Sequence, residues 1–184
     1  MERSLDQALQ GTLGVLTEVR PEDLDGPTPC ASWDVRALVN HFVGTARWWA
    51  ATVTGDGGVT EADWVAGDFV AAYEESIRIA VTAFSADGVL AKTIQMPFGE
   101  FPGIVLLNLA AMEQFTHGWD LARAIGQPAN LDPGLAAGLL SQARLAISDA
   151  FRGPDGQALF GSAREAPAGA GPADQLAAFL GRAV

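Results

Sequence analysis

Apolar residues recur along most of this chain at steps of three and four, which is the spacing of one face of an α-helix. Leucines at positions 5, 9, 13 and 16 give the first such stripe. The same spacing predicts helices over about residues 4–19, 32–54, 68–84, 103–125, 133–151 and 173–183. Because no convincing run alternates between apolar and polar residues, the pattern predicts an all-α bundle.

Two segments lack the helical spacing. DGVLAKTIQMPFGEFPG, residues 87–103, contains two prolines and three glycines around a short β-like stretch, so we expect an irregular connection with a hairpin. APAGAGPAD near the C-terminus is a low-complexity linker. A chain of 184 residues has the size of one domain, and we expect a bundle over about residues 3–152 and a tail over 153–184.

The predicted fourth helix is apolar around most of its circumference. Leu106 and Ala110 lie on one side, while Phe115 and Trp119 cover the other. A helix of this kind is either central or uses its second face against another helix or a second subunit. A homodimer through this face is therefore one expectation.

The same helix carries Glu113 and His117, two polar residues four positions apart. Positions i and i+4 lie about 5–6 Å apart at Cβ on one helix face, so both side chains can reach one object. His41 lies at the margin of the apolar stripe on the predicted second helix and can point between helices. Two imidazoles and one carboxylate form a ligand set of catalytic zinc, which keeps one position open, although Fe(II), Ni or Mn could take the same ligands.

Glu113 and Asp120 also have an explanation without a metal. Burying an unpaired carboxylate is costly, and Arg36 or Arg123 could neutralise either one by an ion pair. Asp120 lies three residues beyond His117, so it could instead orient a ligating imidazole or accept a proton near the open position. The spacing leaves both explanations open, and Asp120 is our candidate catalytic residue.

Cys30 and the tryptophans complete the candidates. Cys30 precedes a helix N-terminus, a setting that lowers the pKa of a thiol and could make it a nucleophile, but a single cysteine is more often a small buried apolar residue. We expect one or two of the five tryptophans to line a pocket. Arg36, as a cation, and Trp48 are our candidates for contact with a cofactor.

Composition excludes several classes of protein. With 22 acidic and 11 basic residues, the net charge of −11 repels a phosphate backbone, so we expect no nucleic-acid partner. The start, MERSLDQALQ, lacks the order of a signal peptide, and the longest apolar run, GIVLLNLAAM, is half a membrane span. One cysteine cannot form an internal disulfide. We therefore expect a cytoplasmic protein without a membrane partner.

Two segments together resemble a known family. TPCASWDVRALVNHFVG, residues 28–44, and MEQFTHGWDLARAIGQP, residues 112–128, are similar to the signatures of the mycothiol-dependent maleylpyruvate isomerase N-terminal domain family, within the DinB-like superfamily. The closing LAAFLGR agrees as well. The resemblance implies a DinB-like four-helix bundle, here with an extra C-terminal helix and a short tail. It also implies a metal, usually zinc, bound by His41, Glu113 and His117.

The resemblance implies a reaction too. Relatives use the metal to bind the thiol of mycothiol or bacillithiol and transfer it to an electrophile. We therefore expect a metal-dependent thiol S-transferase that uses mycothiol as cosubstrate and acts on small electrophiles. The isomerase itself resembles a two-domain protein, and this sequence shows one bundle and a tail, so we do not expect isomerase activity. Two alternatives stay open: a metal-binding or ligand-binding protein without turnover, and a metal-free helical dimer.

Overall fold

The computed structural model describes residues 2–56, 62–96, 99–154 and 157–184. The predicted all-α fold is confirmed, with six α-helices and one small hairpin in these residues. The elements are α1 Glu2–Leu16, α2 Val35–Thr54, α3 Phe69–Phe84, β1 Thr93–Met96, β2 Gly99–Pro102, α4 Gly103–Ala124, α5 Pro133–Ala146 and α6 Pro172–Phe179.

The hairpin predicted between the third and fourth helices is confirmed. Strands β1 and β2 pair antiparallel, with a register that runs from Thr93 opposite Pro102 to Met96 opposite Gly99. Residues 97–98 of this segment lie outside the described residues. The hairpin leads directly into α4, the helix that carries Glu113 and His117.

Aspartates set where three helices begin. The Asp34 carboxylate accepts the backbone N–H of Ala37 at 2.7 Å, and a carboxylate is favourable at the positive end of a helix. The second helix, predicted to begin at about residue 32, therefore begins at Val35. Asp68 and Asp132 cap α3 and α5 in the same way.

Three predicted helix ends are too late. Helix α1 ends at Leu16, because Val19 already bonds to a carbonyl three residues back in a tighter turn. Helix α5 ends before Ile147, whose backbone is extended, and Asp149–Phe151 form a separate 3-10 turn. Helix α6 stops at Phe179. TGDGG, residues 54–58, is the turn sequence that ends the second helix, and its last two residues lie outside the described residues.

Helices α1 to α4 form a four-helix bundle. Helix α1 contacts α3 and α4, and α2 contacts the same two helices. Helices α5 and α6 pack together and both contact α4. Helix α4 is thus central, which explains why it is apolar on nearly every side. None of the helices in the described part of the chain combines the length and the apolarity needed to cross a membrane.

A buried polar network fixes α4 beside the candidate ligands. The Gln114 side chain donates to the Phe42 carbonyl at 3.2 Å and accepts from the Tyr73 hydroxyl at 2.6 Å. The Thr12 hydroxyl donates to the Gln114 carbonyl at 2.8 Å. Because these partners come from α1, α2 and α3, the network sets the rotation of α4 at the residue that follows Glu113.

Candidate metal site

The structure brings His41, Glu113 and His117 together at the contact between α2 and α4. Their ligand atoms all lie within 4.8 Å of one another. The His41 Nε2 and Glu113 Oε1 atoms are 3.1 Å apart, and the indole of Trp49 donates to Glu113 Oε2 at 2.5 Å. Glu113 thus takes its hydrogen bonds from α2 and not from an arginine, among the described residues.

Asp120 lies behind His117 on the same helix. Its Oδ2 atom is 3.1 Å from His117 Nδ1, and its side chain is fully buried. A carboxylate that accepts this N–H fixes the orientation and tautomer of the imidazole and leaves Nε2 free to coordinate. This is the orienting role that the sequence offered for Asp120.

The partner of Asp120 is an arginine that the sequence did not suggest. Arg182 donates from Nη2 to Asp120 Oδ2 at 2.9 Å and from Nε to Oδ1 at 3.2 Å. The two arginines considered from the sequence lie elsewhere: Arg36 is 4.0 Å from exposed Asp25, and Arg123 lies over an aromatic ring of its own helix. The ion pair expected for Asp120 therefore exists, but with the C-terminal segment.

Trp33 covers the two histidines. Its ring centre lies 4.3 Å from that of His41 and 5.6 Å from that of His117. The Thr28 hydroxyl donates to the Trp33 carbonyl at 2.8 Å, which holds the loop before α2 in place. From the sequence, Trp33 is one of five tryptophans of which one or two are expected to line a pocket. Its position directly before the cap of the helix that carries His41 is the signal that could have identified it as a residue of the site.

Trp48 and Arg36 do not touch the three ligands in the contacts of the described residues. Trp48 packs edge-on against Trp49, with ring centres 4.8 Å apart, and Trp49 is the residue that contacts Glu113. The assignment of Arg36 and Trp48 to cofactor binding stays a prediction.

Cys30 belongs to the environment of Asp120. Its thiol donates to Asp120 Oδ2 at 3.2 Å and lies 3.4 Å from Arg182 Nη2. Burial, and then the charge of Asp120, raise the pKa of the Cys30 thiol to about 12. A protonated thiol is a weak nucleophile. Cys30, His117 and Asp120 also form a second group of metal-type donors, but Arg182 already occupies both oxygens of this carboxylate.

For two of the three ligands, Glu113 and His117, the surroundings favour the protonation state that a metal requires. Burial opposes ionisation of Glu113, but the hydrogen bond from His41 and the nearby His117 outweigh burial, so the pKa of Glu113 lies below its usual value. Burial lowers the pKa of His117 despite its bond to Asp120. A carboxylate and a neutral imidazole are the forms that bind metals, and the set of two nitrogens and one oxygen fits a divalent ion such as zinc.

Most of the chain matches the sequence model of a known family. The sequence model of the mycothiol maleylpyruvate isomerase N-terminal domain matches residues 5–122, a range that contains all three candidate ligands and Asp120. The chain belongs to this family. The resemblance expected from the sequence segments is thereby confirmed, and Arg182 lies outside the matched range.

Two relatives match the chain over most of its length. The uncharacterized proteins MT0763 and Rv0738 of Mycobacterium tuberculosis, from strains CDC 1551 / Oshkosh and ATCC 25618 / H37Rv, are each 39% identical to it over 174 residues. The match covers 92% of this chain and 91% of each relative. No solved structure matches the chain significantly.

Proposed function

We propose that this protein binds one divalent metal ion through His41, Glu113 and His117, and zinc is our first candidate for this ion. The observation that carries the proposal is the convergence of three ligand atoms within 4.8 Å from two adjacent helices. The carboxylate behind His117 supports it, because such a partner is common behind metal-bound histidines. The pairing of Glu113 with a histidine also weakens the explanation of Glu113 as one half of an arginine ion pair.

We propose that the site joins the sulfur of mycothiol to a small electrophile. The S–H proton goes to solvent, a bond forms between sulfur and the electrophilic carbon, and the leaving group of the electrophile departs with the electron pair of the broken bond. When bound, a divalent metal with an open position lowers the pKa of a coordinated thiol and supplies the thiolate nucleophile. The protein has no competing thiolate of its own in the site, because Cys30 is protonated. Membership of the mycothiol maleylpyruvate isomerase N-terminal domain family supports mycothiol as the thiol.

The side chains around the three ligands have separate roles in this proposal. Asp120 holds His117 in one orientation, and both of its carboxylate oxygens are within hydrogen-bonding distance of His117 or Arg182. These contacts support a positioning role, and the proton-transfer role considered from the sequence stays a prediction. The Trp33 ring packs against both histidines and forms one wall of the site. The wider proposal is that residues 1–184 act as one domain in the cytoplasm, where thiols stay reduced.

The experiment that tests this function is thiol transfer to a bimane-type electrophile. Metal-loaded wild type is assayed with mycothiol beside Glu113→Ala, which removes a proposed ligand, and Cys30→Ser, which keeps a donor to Asp120. We expect Glu113→Ala to fall to the rate of metal-free protein and Cys30→Ser to retain the wild-type rate.

Three results would contradict the proposed reaction. Equal rates for wild type and Glu113→Ala would remove the metal from the mechanism. Loss of activity in Cys30→Ser alone would assign the chemistry to the cysteine. Metal binding without transfer of any thiol would favour a binding protein without turnover.

A further inference from the structure

The C-terminal segment reaches the candidate metal site through Arg182. We propose that Arg182 is a positioning residue that completes this site by acting on His117 through Asp120. The inference rests on the proposed metal site and extends it to a residue outside the family-matched range of 5–122.

The contacts of Arg182 fix the carboxylate at both oxygens. Nε lies 3.2 Å from Asp120 Oδ1, and Nη2 lies 2.9 Å from Oδ2. A guanidinium that contacts both oxygens sets the plane of a carboxylate as well as its position. Because the same Oδ2 is 3.1 Å from His117 Nδ1, Arg182 determines the direction from which His117 is held.

The charge of Arg182 is also what allows a carboxylate at this place. Asp120 is fully buried, and the Arg182 side chain is 16% exposed. A buried carboxylate without a cation is strongly unfavourable. Arg182 therefore stabilises the ionised Asp120 that orients the metal ligand.

The fold delivers Arg182 to this position by two features of the C-terminal segment. The Trp119 indole on α4 donates to the Asp174 carboxylate at 2.8 Å, which anchors α6 one residue from Asp120 along α4. The chain then turns at Gly181, with φ of 101°, where it crosses Gly161. A Cβ at Gly181 would lie 2.7 Å from the Gly161 Cα atom, so only glycine permits this close crossing.

The test compares metal binding in the full chain with Arg182→Met, which removes the cation, and Arg182→Lys, which keeps the charge without the fork. Arg144→Met is the control, because Arg144 is an exposed arginine on α5 and is not a partner of Asp120. Zn²⁺ affinity is measured by competition with a chelator. The visible spectrum of the Co²⁺ form reports ligand geometry, and circular dichroism reports folding.

We expect Arg182→Met to weaken Zn²⁺ binding about 10- to 100-fold, the usual effect of removing a group behind a metal ligand, and to alter the Co²⁺ spectrum. Arg182→Lys should recover part of the affinity, because a lysine cannot contact both oxygens in a fixed plane. Arg144→Met should keep the wild-type affinity and spectrum. The double variant Asp120→Asn with Arg182→Met should bind Zn²⁺ as weakly as Asp120→Asn alone, because Arg182 acts on His117 only through Asp120.

The outcomes separate this role from the site itself. If folded Arg182→Met keeps the wild-type Zn²⁺ affinity and Co²⁺ spectrum, the role of Arg182 is overturned and the metal site is not affected. If the double variant with Asp120→Asn loses more Zn²⁺ affinity than either single variant, the route through Asp120 is overturned. Wild-type protein that binds no Zn²⁺ would overturn both proposals. If Arg182→Met does not fold, Arg182→Lys decides: weaker binding than in wild type supports the role, and unchanged binding overturns it.

Discussion

Replacement of Gly118 by alanine tests the packing that places His117. Gly118 lies on α4 directly after this ligand, and α1 passes closely over it. A Cβ at Gly118 would lie 2.2 Å from Thr12 Oγ1, 3.1 Å from Thr12 Cβ and 3.2 Å from Thr12 Cα. A change of the Thr12 rotamer can move Oγ1 away, but Cβ and Cα belong to the rigid part of α1, so their close contacts with the new methyl group would remain.

The size of the effect follows from three contributions. Forcing α1 and α4 apart costs about 1–3 kcal/mol, as overpacking does in close-packed cores. Turning the Thr12 hydroxyl away breaks its buried bond to the Gln114 carbonyl, which costs about 1 kcal/mol. Alanine regains about 1 kcal/mol over glycine inside a helix. We therefore expect Gly118→Ala to lower the free energy of unfolding by about 1–3 kcal/mol.

The assay is urea unfolding followed by far-ultraviolet circular dichroism, with Zn²⁺ affinity measured on the same samples. Gly11→Ala is the matched control, because Gly11 lies inside α1 and a Cβ there meets nothing within 4 Å. The control should gain about 0.5–1 kcal/mol from helix propensity alone. If Gly118→Ala were as stable as wild type or more stable, the close contact between α1 and α4 would not constrain the site as argued.

Three further predictions concern the ligands and their protonation. His41→Ala should abolish Zn²⁺ binding but keep the helical circular dichroism spectrum, because a large apolar core and not the metal forms the fold; global unfolding would make the site structural. Trp49→Phe removes the donor to Glu113 and should weaken Zn²⁺ binding about 10-fold. The control Trp48→Phe should keep the wild-type affinity, and equal Zn²⁺ affinities of the two variants would refute a role for Trp49. Metal-free protein should lose stability as the pH falls, measured by urea unfolding from about pH 8 to about pH 4. The pKa values of His117, Glu113 and Asp120 lie below their usual 6.5, 4.5 and 3.8 in the folded protein. The unfolded chain therefore binds more protons as the pH falls, which lowers the free energy of unfolding. His117 contributes to this loss first, below pH 6.5, and the carboxylates contribute below about pH 4.5. Stability that rises on acidification would contradict these shifts.

Local spacing was enough to predict the helices and the residues that share a face. Glu113 and His117 could be paired because one helical turn separates them, and His41 because it borders an apolar stripe that must face the bundle. Helix ends were harder, because Asp34 and the extended Ile147 set them by local backbone geometry and not by periodicity.

The partner of Asp120 could not be predicted in the same way. Arg182 is 62 residues away in the chain, and it reaches Asp120 only after α6 docks and Gly181 crosses Gly161. From the sequence, the candidates for an ion pair with Asp120 are therefore Arg123, three residues away, and Arg36, on the helix of His41. The arginine that closes LAAFLGR, directly after an amphipathic helix, was the one available signal.

The most direct test of the account is the metal content of the protein itself. The chain is purified without a nickel column, supplied with zinc, and analysed for metals beside His41→Ala and Glu113→Ala. We expect about one divalent ion per wild-type chain and almost none in either variant, because the site has three protein ligands. Wild-type protein that stays substoichiometric after zinc is supplied, or variants that retain the full amount of metal, would contradict the assignment of His41, Glu113 and His117 as a metal site.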